Sequence, residues 1–168
     1  MSGLKRFGLV CVMVLALGAS FGCAKKTVTG EGTGEGDGYG SGAYGSSMTA
    51  VDQAAQAISD RIVYFEFDKF DIQPQYYDML RENADMLKQY PSIRVRIEGH
   101  CDERGTEEYN LALGGRRARA VYDYLMRLGV NPAQMETISY GKERPAVMGT
   151  GPAVWDQNRR SYFQIVSR

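Results

Sequence analysis

The chain has little of what would mark a metalloprotein, a disulfide scaffold or a nucleic-acid binder: among 168 residues there is one histidine and there are three cysteines. Its formal net charge is zero, with 20 basic side chains against 20 acidic ones. It therefore offers no electrostatic footprint for nucleic acid. Long apolar runs are also missing. Only Phe7 to Leu17 comes close, and it falls short of the roughly 20 residues that span a bilayer as a helix. The glycine-rich stretch from Thr27 to Met48 is neither preceded by a strand nor closed by Gly-Lys-Ser/Thr, which excludes a phosphate loop. His100, Cys101 and Asp102 are consecutive. On an extended chain such neighbours point to opposite sides, which argues against both a zinc site and a thiol-imidazole pair.

What is present at the N-terminus has the plan of an export signal: Lys5 and Arg6, the apolar run, then Gly18-Ala19-Ser20-Phe21-Gly22-Cys23. Residues 1–22 are expected to be that signal. Gly22-Cys23 resembles a bacterial lipobox, in which the cysteine sulfur receives lipid; Ser20 stands where that motif usually has leucine. By the same resemblance, Ala24 directs the product to the outer membrane. Two or more acyl chains on Cys23 would anchor the chain firmly, each buried methylene adding about 0.8 kcal/mol. With Cys11 in the signal and Cys23 lipidated, Cys101 is left alone and no intrachain disulfide forms. Residues 23–49 then form a flexible linker, spanning on the order of 25 Å at rest. Its job is reach.

The folded module is expected over residues 50–168. Ile62 to Phe67 reads as a strand with Val63, Phe65 and Phe67 on one face, ended by Asp68-Lys69-Phe70-Asp71. Pro74 opens a helix to about Tyr90, with Tyr77, Leu80, Ala84 and Leu87 as its stripe. Ile93, Val95 and Ile97 alternate with charged residues as a second strand. Thr106 is positioned to cap a second helix reaching Leu128, with Glu107 and Glu108 in its first turn. Strands follow at Glu136 to Tyr140 and Tyr162 to Val166, separated by a long loop. This order implies an α+β two-layer sandwich: one mixed four-stranded sheet with two main helices packed on it.

One residue breaks the pattern. Leu113, Val121 and Leu125 step by four along an apolar stripe, and Arg117 falls in the same series. A core-facing arginine cannot shed its charge, so it calls for a carboxylate or a ligand. If the first two strands run parallel, Asp68 and Asp102 share one sheet edge with Arg104. Such an edge suits a zwitterion: the aspartates accept from an ammonium, and Arg104 or Arg117 forks onto a carboxylate. An internal Arg117–Asp102 ion pair that fixes the turn is the simpler alternative.

Tyr64-Phe65-Glu66-Phe67-Asp68-Lys69, Gly99-His100-Cys101-Asp102-Glu103-Arg104-Gly105-Thr106, Glu108-Tyr109-Asn110, Leu113, Arg117-Ala118, Ser139-Tyr140-Gly141 and Asn158-Arg159-Arg160 resemble the OmpA-like C-terminal domain family, in its Pal-type lipoprotein branch. The resemblance covers essentially all of residues 62–168. It implies non-covalent binding of peptidoglycan through the diaminopimelate of the stem peptide, gripped by Asp102 and Arg117. Phe67, Asp68 and Arg104 would occupy further contact positions, with Asn110 and Leu113 beside them. It also implies a periplasm-facing outer-membrane lipoprotein that tethers membrane to wall. Its partners would be TolB-like and other Tol proteins, acting in envelope integrity and cell division, without a cofactor. Cys101 departs from the small alanine or threonine usual at its position. Two other readings are a wall hydrolase using Asp68 and Asp102 as its carboxylate pair, and a protein-interaction hub. Arginines close to both acids would keep them ionised and leave no general acid.

Overall fold

Thr49 starts the first helix of a computed structural model that describes residues 48–168. The expected signal, Cys23 and most of the linker lie outside the described residues. The Thr49 hydroxyl accepts from the Asp52 amide at 3.2 Å, and the Asp52 carboxylate accepts from the Thr49 amide at 3.1 Å. This reciprocal cap opens α1 (Ala50–Ser59), an element the sequence analysis did not anticipate. Ala54, Ala55 and Ile58 form its buried stripe.

Strand β1 (Ile62–Tyr64) is shorter than expected. Phe65 is still buried, but Phe67 is 59% exposed and does not share the core face of Val63. The chain turns away because the Lys69 amide donates to the Glu66 carbonyl at 3.2 Å and Asp68 adopts a left-handed φ of 58°. A short 3-10 turn (Pro74–Tyr76) leads into α2 (Tyr77–Gln89), whose Leu80, Ala84 and Leu87 are buried as the periodicity requires. Gln134 then donates to the carbonyls of Leu87 (2.8 Å), in the last turn of that helix, and of Ile93 (3.0 Å), in the segment that follows it.

The remaining elements are β2 (Arg94–His100), α3 (Glu107–Arg127), β3 (Met135–Gly141), α4 (Pro152–Asn158) and β4 (Arg160–Ser167). The sheet order is β1-β4-β2-β3. β4 is antiparallel to both β1 and β2, so β1 and β2 point the same way, and β3 is parallel to β2. Their C-terminal ends therefore share one edge, the condition on which the juxtaposition of Asp68 and Asp102 depends. Val63, Val95, Ile97 and Phe163 face the helices and bury against Leu80, Leu87, Val121 and Leu125.

Helix α3 lies unusually close to β2 and β3. A Cβ on Gly99 would stand 1.8 Å from the Gly114 carbonyl oxygen, and one on Gly114 would stand 2.4 Å from Ser139 Oγ. Only glycine permits that approach, which sets the depth of α3 on the sheet. Helix α4 occupies part of what was expected to be loop. Asn158 at its end accepts from the Ala146 and Val147 amides at 2.8 and 3.1 Å and pins the preceding glycine-containing segment.

Candidate functional site

The turn after β2 is fastened from three sides. The Thr106 hydroxyl accepts from the Tyr109 amide at 3.2 Å, capping α3. The Asn110 side-chain amide donates to the carbonyls of Arg104 (2.7 Å) and Thr106 (3.1 Å), so both its hydrogens are committed to the turn. Lys142 donates to the Gly105 carbonyl at 2.8 Å. What this rigid turn presents is a cleft of about 500 Å³, counting its open mouth.

All seven residues expected at the site, Phe67, Asp68, Asp102, Arg104, Asn110, Leu113 and Arg117, line this one cleft. Leu113 is buried and supplies apolar surface, while Asn110 acts chiefly through the turn it holds. Asp68, in its left-handed conformation, accepts from the Tyr109 hydroxyl. Tyr109 also lines the cleft, as does Arg159; both stand in the segments that carry the resemblance, but neither was expected among the site residues. Arg159 precedes β4, and the pairing of Arg160 with Tyr64 carries it to the end of β1. No local pattern reveals that placement.

Asp102 is buried and its carboxylate is saturated. Arg104 donates to it from its backbone amide (3.1 Å), Nε (3.0 Å) and Nη2 (2.6 Å), and Arg159 Nη1 adds a fourth contact at 3.4 Å. Burial alone would raise its pKa, but the Arg104 bonds and charge, helped by Arg159, outweigh that and hold the carboxyl below its usual range. The Arg104 guanidinium lies 4.1 Å from the ring centroids of both Phe67 and Trp155. Trp155 is fixed in turn by its indole N–H, which donates to Glu103 Oε1 at 2.9 Å.

Arg117 is completely buried and is not paired with Asp102, which corrects the simpler expectation. Its Nε donates to the Lys69 carbonyl (2.9 Å), Nη1 to the His100 carbonyl (2.8 Å) and Cys101 Sγ (3.4 Å), and Nη2 to the Glu66 carbonyl (3.1 Å). Four of the five N–H groups of a guanidinium are thus used. None of these acceptors is a carboxylate. Burial pushes its pKa down, yet an arginine starts so far above neutrality that it stays charged. Burial likewise pushes the Cys101 thiol up, so it sits beside Arg117 as a neutral group.

His100 lies apart from the cleft, beside Tyr140 with ring centroids 5.6 Å apart. Its pKa is lowered to about 4, first by burial and then by the Arg160 charge, so it is neutral near pH 7. Among the described residues, no group of three or more His, Cys, Asp or Glu side chains is placed to hold a metal ion. No described helix is long and apolar enough to cross a membrane.

A sheet edge carrying this turn, cleft and buried arginine defines a class of domain: the model of the OmpA family matches residues 64–159. A peptidoglycan-associated lipoprotein of Pseudomonas aeruginosa is 44% identical over 163 residues, covering 92% of this chain and 95% of its own. One from Agrobacterium fabrum is 41% identical over 165 residues, covering 96% of this chain and 89% of its own. The crystal structure of the peptidoglycan-associated lipoprotein from Burkholderia pseudomallei superposes with a TM-score of 0.63 at 48% identity, covering 65% of this chain and 92% of that one. The C-terminal domain of Helicobacter pylori MotB shares the fold, with a TM-score of 0.60 at 21% identity, covering 64% of this chain and 85% of that one. The chain belongs to the OmpA family and, within it, to the peptidoglycan-associated lipoproteins.

Proposed function

We propose that the cleft binds the diaminopimelate of the peptidoglycan stem peptide without covalent chemistry, and that the chain tethers the outer membrane to the cell wall. The observation that carries this reading is Arg117: a buried cation at the cleft, bonded to three carbonyls and a thiol but to no carboxylate. A buried charge with no carboxylate bonded to it is costly, and a ligand carboxylate at the remaining N–H would relieve it. The amino end of the ligand then meets Asp68, whose carboxylate holds only the Tyr109 hydroxyl. It also meets Asp102, where the ammonium takes over a lone pair from the Arg104 side chain, itself about one-third exposed. Relatives named as peptidoglycan-associated lipoproteins at 41 and 44% identity support the same ligand class.

Lipid on Cys23 and the glycine-rich linker would supply the anchor and the reach, and Tol proteins are the partners this family membership suggests. The enzyme reading finds no support at Asp102, whose paired carboxyl is held ionised and cannot act as a general acid. Incubating the chain with purified sacculi tests both points. The reading expects the chain to co-sediment and no muropeptide to be released. Sedimentation unaltered by Asp102→Ala refutes the site, and reproducible catalytic release refutes the non-enzymatic claim. Fatty-acid labelling of wild type against Cys23→Ser decides the anchor.

A further inference from the structure

Beside the cleft runs a second recess, wider and more open, of about 760 Å³ counting its mouth. Arg159 lines both and is the wall between them. It is held there by its Nε, which donates to the Phe65 carbonyl at 2.9 Å, by its Nη1 on Asp102 and by its Nη2 on Asp156. Beyond Arg159 the lining changes character. Tyr64, Gln73, Gln75, Tyr76 and Gln157 replace the ionic groups of the cleft. The two carboxylates that also border the recess are already neutralised: Glu66 pairs with Lys69, and Asp156 with Arg159.

Three carboxamides and two phenols are the groups that recognise a neutral, hydroxylated ring. Each carboxamide offers two N–H donors and an acceptor, which match hydroxyl and acetamido substituents. A tyrosine adds a flat apolar face for ring C–H groups together with a polar tip. The open shape of the recess admits a polymer that continues in both directions, where the cleft admits one side chain.

We propose that this recess is a glycan subsite, taking an N-acetylated amino sugar of the same wall polymer whose diaminopimelate occupies the cleft. The inference rests on the proposed reading of the cleft. Two residues of the stem peptide, the second of them γ-linked, separate diaminopimelate from the sugar, on the order of 10 Å of extended chain. That span suits two recesses divided by a single side chain.

Titrating the full-length chain with L-alanyl-γ-D-glutamyl-diaminopimelate, free and attached to its disaccharide, tests the subsite. The disaccharide form is expected to bind about tenfold tighter. In the double variant Gln75→Ala/Gln157→Ala, altered only at exposed positions, that advantage disappears while the affinity for the free peptide stays at the wild-type value. Equal affinities in the wild type, or an advantage that survives the double substitution, overturn the subsite and leave the reading of the cleft standing. Failure of both ligands to bind overturns that reading and the subsite with it.

Discussion

Arg104 forks onto Asp102, Nε to Oδ1 at 3.0 Å and Nη2 to Oδ2 at 2.6 Å, with its guanidinium held 4.1 Å from the ring centroids of Phe67 and Trp155. The pair does two things at once. It keeps Asp102 ionised in a buried position, and it aims a cation at the cleft mouth from a stacked, low-entropy pose. Arg117, bonded to three carbonyls and the Cys101 thiol but to no carboxylate, remains the charge that awaits a partner.

Trp155 is the residue that sets this pose. Trp155→Ala removes one of the two rings and the bond to Glu103, and is expected to weaken binding of a diaminopimelate tripeptide about three- to tenfold. Trp155→Phe keeps the ring face and should recover most of the affinity. Calorimetric titration of both variants checks this.

Arg117 also holds the fold. Its bonds draw the carbonyls of Glu66, Lys69 and His100 together, and Arg117→Ala would strand them around a cavity. The expected loss is about 2–4 kcal/mol of unfolding free energy, read from urea melts. A defect of this variant in sacculus binding is therefore interpretable only below its own unfolding transition.

Gly99→Ala is expected to cost several kcal/mol, on the order of the largest single-substitution effects, because its methyl would enter the Gly114 carbonyl. The methyl meets backbone that has no rotamer to yield, so α3 must move and carry Arg117 with it. Gly115→Ala, whose new carbon meets only the Ser139 Cβ at 3.9 Å, should leave both melting and binding near wild type.

Acid should destabilise the domain through His100. Its pKa falls from 6.5 to about 4 on folding, so between those values the unfolded chain binds the extra proton. The contribution is complete above pH 6.5 and is lost as pH falls toward 4, up to about 3 kcal/mol. Glu98 works in the opposite sense: burial raises its pKa despite Arg144, Arg96 and Arg160, so its contribution is present below the ordinary glutamate value and is lost as pH rises through the raised one. Glu98→Gln should therefore steepen the loss of stability on acidification, and His100→Gln should flatten it, in urea melts from pH 4 to 7.

The sequence is most legible where spacing encodes direction. The four-residue step from Leu113 to Leu125 exposes Arg117 as an anomaly, and strand direction puts Asp68 and Asp102 on one edge. It is least legible where backbone from distant segments decides. The partners of Arg117 are carbonyls as many as 51 residues away, which no side-chain pattern announces. The end of β1 is hidden because Phe65 and Phe67 keep the alternation after the ladder has stopped. Helix α1 escapes because its alanine-rich face gives little contrast, although Thr49 and Asp52 stand at the spacing of a cap. Arg159 reaches the cleft only through the β1–β4 pairing.

The most direct measurement compares two tripeptides that differ by one carboxylate: L-alanyl-γ-D-glutamyl-diaminopimelate and the same peptide ending in lysine. If the free N–H of Arg117 awaits that carboxylate, the full-length chain should bind the diaminopimelate form more than about tenfold tighter, the order expected for a charge-assisted contact. Equal affinity for the two peptides would contradict the account.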